Sequence, residues 1–125
     1  MTKTAFLVGL LSLPESNDLT EVAVKQENGS TLTELYRVLD CRTVDVIRLT
    51  DSIDLWVDDE ALLVADPVPN RLLSMMMIAF GRGGEDHIMG RGLFLSADES
   101  TGATLSLNEK QLGIVTNAYE QALRM

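Results

Sequence analysis

Histidine and cysteine are nearly missing from this chain: its 125 residues hold one of each, His87 and Cys41. One cysteine closes no internal disulfide, and one histidine cannot build the Cys/His arrays of structural zinc. Neither a disulfide scaffold nor a zinc fold is expected. Positive charge is also scarce. Ten Lys and Arg face 19 Asp and Glu, for a formal net charge of −9. Such a surface repels phosphate backbones, so direct nucleic-acid binding is not expected. No apolar run reaches the ~18–20 residues that cross a bilayer, which leaves no spanning segment and no membrane partner. The 46% apolar share is that of a globular chain, and the length suits one domain.

The longest apolar stretch, Ala5 to Leu13 behind Lys3, has the outline of a short signal peptide. No small-x-small cleavage site precedes Pro14-Glu15, so a retained, buried first strand and cytoplasmic residence are expected. Glu21 to Gln26 alternates and is expected to pair with it. Asn28-Gly29 breaks the chain, and Thr31 with Glu34 forms a capping-box pattern ahead of a short amphipathic helix, Leu32 to Asp40. Thr43 to Leu49 and Ile53 to Asp58 flank the polar connection Thr50-Asp51-Ser52 and read as a β-hairpin. On its second strand Ile53, Leu55 and Val57 share the face that suits a core. Asp54, Trp56 and Asp58 share the other, which reads as solvated.

After the acidic turn Asp58-Asp59-Glu60-Ala61, Leu62 to Val64 reads as a short apolar return. Asn70 is placed to cap a helix from Arg71 to Phe80 that is apolar on almost every face, with Gly81 placed to end it. Ile88 to Gly90 and Leu93 to Leu95 suggest one interrupted strand or a tight hairpin. Asp98 to Ala103 is a polar turn. The last element is the clearest: Asn108 and Gln111 form a capping box flanked by the staple Leu107/Leu112, opening a terminal helix of about four turns. This order of elements predicts an α+β fold, helices packed on a mainly antiparallel sheet.

Several residue groups are candidates for chemistry. Asp54, Asp58, Asp59 and Glu60 supply hard oxygen donors, but the spacing of a calcium loop is absent, so no metal site is assigned. Gly81-Arg82-Gly83-Gly84 offers glycine N–H groups and a cation to a phosphate, yet it follows a helix where phosphate loops precede one. It stands as a weaker ligand-binding alternative, a small molecule or nucleotide, and no cofactor is expected. Cys41 and His87 are the only thiol and imidazole, with no spacing that pairs them as nucleophile and base. Met75, Met76 and Met77 with Ile78 and Phe80 are either core or an interface, including a homodimer. Trp56, between Asp54 and Asp58, suits an anchor for a partner.

Leu35 to Leu49, followed by Ile53-Asp54-Leu55-Trp56-Val57-Asp58-Asp59-Glu60, Pro69-Asn70-Arg71 and Ile88-Met89-Gly90, is similar to a family of small proteins classed as a domain of unknown function. That family is met mostly in bacteriophages, plasmids and actinobacterial genomes. Ala61 stands where its pattern leads to a glycine. The resemblance implies a phage or mobile-element accessory protein with no catalytic residues to transfer. By class-level analogy it acts by binding a host or phage protein.

The expectation is therefore a non-enzymatic interaction module that presents Asp54, Trp56, Asp58, Asp59 and Glu60, with inhibition of a host defence or regulatory protein as one form of that role. Alternatives are a nucleic-acid mimic and a nucleotide binder using residues 81–84; a hydrolase comes last. Charge favours the hairpin. Asp40 to Asp66 holds eight acidic residues against Arg42 and Arg48, a net of −6 of the chain's −9. A solvated acidic edge that merely discourages aggregation is the bland counterpart.

Overall fold

A computed structural model describes residues 4–61, 66–82 and 88–125. In chain order these form β1 (Thr4–Ser12), β2 (Leu19–Glu27), α1 (Leu32–Leu39), β3 (Val44–Arg48), β4 (Ile53–Asp58), α2 (Arg71–Ala79), β5 (Gly92–Ala97), β6 (Thr104–Leu105) and α3 (Glu109–Leu123). The architecture is the expected α+β: a six-stranded antiparallel sheet of order β2-β1-β5-β4-β3, with β6 beside β5. The apolar return expected at Leu62 to Val64 lies outside the described residues.

Both faces of the sheet are covered, which differs from the one-sided hairpin expected. On one face Leu72, Leu73, Met76 and Met77 of α2 and Val115, Ala118 and Ala122 of α3 pack on Ile53, Leu55, Val57 and Phe94. On the other, Leu35, Val38 and Leu39 of α1 pack on Leu7, Leu11, Val24, Leu93 and Leu95, with Trp56 at the border. All six residues of β5 are buried. A strand enclosed on both sides reads as a continuous apolar run rather than an alternation. Gly92 is required there: a Cβ on it would meet Leu73 Cδ2 at 2.3 Å.

Helix ends follow local chemistry, with one exception. Asn70 Oδ1 accepts from the Leu73 N–H at 2.9 Å. Gly81, at φ +75°, ends α2 with Gly81 N–H donating to Ile78 C=O and Arg82 N–H to Met77 C=O, the paired bonds of a Schellman stop. The Asn108/Gln111 box is complete. At α1 the box is not made. Thr31, at φ −113° and ψ −2°, makes no side-chain cap bond, and the Glu34 carboxylate, the other half of the box, reaches instead to the Lys25 N–H at 3.1 Å and to Arg37.

Ile88 to Gly90 is not strand. Met89 forms an isolated bridge with Pro69, the Asn70 N–H donates to Ile88 C=O at 2.8 Å, and Gly90 turns at φ +74° into β5. The methionine helix is mainly core; Ile78, 52% exposed, is its outward apolar residue. Among the described residues no helix is long and apolar enough to cross a membrane.

Candidate functional site

The expected interaction residues separate into two environments. Asp54 is buried, 6% exposed, and its carboxylate holds Arg48 Nε at 2.8 Å. It is a structural ion pair on the hairpin, not part of a solvated face, because the face it shares with Trp56 and Asp58 lies toward the second core. Trp56 is half-buried against that core, with its indole Nε1 buried and without a hydrogen-bond partner among the described residues. Its ring therefore packs within this chain, where the sequence suggested an outward anchor.

Asp58, Asp59 and Glu60 lie where β4 leaves the sheet. The turn is held by Glu60 N–H on Asp58 Oδ1 (2.8 Å), Ala61 N–H on Asp58 C=O (3.3 Å) and Asp59 N–H on Thr43 C=O (3.2 Å). Glu60 is occupied, accepting from Thr43 Oγ1 at 2.9 Å and lying 3.6 Å from Arg42.

Asp58 opens onto a cleft of about 350 Å³ that also takes in Glu15, Asp40, Asp66, Gly90 and Arg91. The topology explains the meeting: β1 and β4 end, α1 ends and β5 begins at this end of the sheet. Asp40 stops α1 in the left-handed region at φ 51°, a conformation aspartate tolerates. Cys41 N–H then bonds Tyr36 C=O at 3.0 Å. Arg91 Nη1 donates to Val38 C=O at 3.1 Å, so this cation serves the negative end of the α1 dipole.

Four carboxylates thus face one guanidinium, with Asp59 exposed beside them. Among the described residues none of Glu15, Asp40, Asp58, Asp59 or Asp66 makes an ion pair. The site carries an excess of negative charge. Cys41 sits next to it, and burial pushes its thiol above the ordinary value, with the Asp58, Asp40 and Glu60 charges adding to the rise. A thiol so placed stays protonated at neutral pH and is a poor nucleophile.

Two other hollows are lined in part by side chains that bond within the chain. One of about 410 Å³ beside the Asn28-Gly29 turn is lined by Lys25, Glu27 and Glu34, whose charges pair within the chain: Lys25 with Glu27 at 2.6 Å and Glu34 with Arg37. A broader one near the start of α3 is lined by Asp51, Glu99 and Lys110 as well as by Ser52, Ser96, Asn108 and Gln111, and Gln111 joins Asn108, Ser52 and Ser96 by hydrogen bonds. In the glycine-rich segment, Gly81 and Arg82 form the α2 stop and the Arg82 side chain donates to Arg48 C=O. Gly83, Gly84 and His87 lie outside the described residues.

Of the cleft residues, Asp58 was a sequence candidate, and Asp40 and Asp66 fell within the acidic stretch. Glu15 and Arg91 gave no signal in the sequence, since only the sheet order brings them to the others. A protein-family model described as a domain of unknown function, DUF3846, matches residues 10–122. No curated protein and no solved structure matches the chain.

Proposed function

Starting from a chain that belongs to the DUF3846 family of domains of unknown function, we propose a non-enzymatic protein-interaction module whose acidic end receives a basic surface of a partner protein. One observation carries this reading: Glu15, Asp40, Asp58, Asp59 and Asp66 gather at one end of the sheet without ion pairs among the described residues. Unpaired like charges kept together repel one another and gain from a cationic partner, chiefly in on-rate and specificity. The resemblance of the hairpin sequence supports an accessory protein of a phage or mobile element, with a host or phage protein as its target.

Asp58→Lys with Asp59→Lys tests the reading, because both side chains are outside the cores and Trp56 is left in place. In capture from host lysate at ~0.1 M salt, the wild type retains a basic protein that the double variant loses. The same complex weakens at ~0.5 M salt, where exposed charge pairs are screened within about 4–5 Å. Identical partners for both proteins would overturn it.

A further inference from the structure

The two edges of the sheet are protected unequally. On β3 the pairing with β4 leaves the backbone groups of Val44, Val46 and Arg48 pointing outward, since Thr43 and Leu49 bond across to Asp59 and Ile53. Two of these groups are occupied: Asp45 Oδ1 accepts the Val46 N–H at 2.8 Å, and Arg82 donates to Arg48 C=O.

On β2 the odd-numbered residues point outward. Val8, the neighbour of Ala23, turns its own groups away from β2 toward Ser106 and Leu107. Glu34 occupies the Lys25 N–H, and Ser30 occupies both groups of Glu27. Those guards cover only the far end of the strand. Leu19, Glu21 and Ala23 keep outward N–H and C=O groups that make no hydrogen bond among the described residues, and Thr20, Glu21 and Ala23 are exposed.

We propose that Leu19 to Ala23 receives an extended peptide segment as an added strand, with a lysine or arginine opposite Glu21. Three outward residues offer three donors and three acceptors, the main-chain pattern of strand addition. Glu21 supplies the selectivity, because opposite charges directly across a ladder attract and like charges repel. A second copy of this chain fits worse. The symmetric register centred on Glu21 sets two carboxylates face to face, and registers shifted toward Lys25 run into the Glu34 carboxylate. The site is separate from the acidic cleft and does not depend on it.

The test uses two nine-residue peptides of alternating threonine and valine, one with a central lysine and one with a central glutamate, titrated into the full chain and followed by amide NMR. The Glu21 and Ala23 amides shift, and the lysine peptide binds about five-fold tighter than the glutamate peptide. Ala23→Pro removes an outward N–H and nothing from the β1 ladder, a position where a strand tolerates proline. It weakens binding about ten-fold. Glu21→Lys reverses the preference and holds whether or not the proline variant folds. Asp58→Lys with Asp59→Lys leaves binding unchanged, which separates this site from the cleft. Absence of binding, equal affinity for the two peptides, no reversal by Glu21→Lys, or shifts confined to Val44–Arg48 would overturn the proposal.

Discussion

Cys41 shows how one residue takes its chemistry from where neighbouring elements end. It follows the left-handed stop of α1, packs at the border of the second core, and has Asp58, Asp40 and Glu60 close enough to disfavour a thiolate. Burial is the larger cause of its raised pKa and the carboxylates add to it. Alkylation by iodoacetamide should therefore be slow at pH 8 and rise only above the ordinary thiol range. Asp58→Asn removes the largest of the charge contributions and should speed alkylation at pH 8 about two- to five-fold. An unchanged rate–pH profile would mean that burial alone sets the thiol. Asp54 illustrates the opposite outcome for an acid: buried, it is tolerated because Arg48 meets it at 2.8 Å, and removing that partner alone would strand a charge.

Among the elements, α2 depends on a single cap that does more than cap. Asn70 is fully buried, and while Oδ1 accepts the Leu73 N–H, Nδ2 donates to Ser12 Oγ and to Gly90 C=O, both at 3.0 Å. One side chain thus ties the start of α2 to the end of β1 and to the turn into β5. Asn70→Ala should cost about 2–4 kcal/mol in urea unfolding, a lost cap together with buried groups left unpaired. Asn70→Asp keeps the acceptor but loses both donors. It should still lose about 1–3 kcal/mol, whereas a pure cap would leave it near wild type.

Features set by neighbours in sequence were legible in the sequence: the Asn70 and Asn108 caps, the Gly81 stop, the β3–β4 hairpin and the pairing of β1 with β2. Features set by distant neighbours were not. Glu34 abandons Thr31 because β2 brings the Lys25 N–H within reach. The two-residue β6 is too short to carry a pattern. The face of β4 bearing Trp56 looks solvated only until α1 is seen to cover that side. Similarly, the acidic stretch was visible from Asp40 to Asp66, but the cleft required Glu15 and Arg91, which lie on either side of that stretch in the sequence.

At the scale of the whole molecule, the charge of −9 and the local carboxylate bonds act on stability in opposite directions as pH falls. A smaller net negative charge relieves self-repulsion, which favours the compact state. Two other carboxylates work against this. Glu34 is held below the ordinary carboxylate range by its hydrogen bond to Arg37, helped by the Lys25 N–H. Asp98 is held low by the Ser100 hydroxyl and the Ser100 and Thr101 N–H groups. For groups whose pKa is depressed on folding, the unfolded chain binds more protons. Their contribution is fully present above the ordinary carboxylate value and is lost as pH falls through the lower folded value.

Tyr119 supplies the alkaline counterpart, its pKa raised by the hydrogen bond it donates to Asp18 at 2.9 Å. That contribution is complete below the ordinary tyrosine value and fades as pH climbs through the raised one. The urea midpoint should therefore hold level or rise from pH 7 toward ~5, fall below ~4, and fall again above ~10. Glu34→Gln should blunt the acid limb, and Tyr119→Phe the alkaline one. A midpoint that climbs steadily down to pH 3 would show that self-repulsion outweighs the Glu34 and Asp98 bonds together.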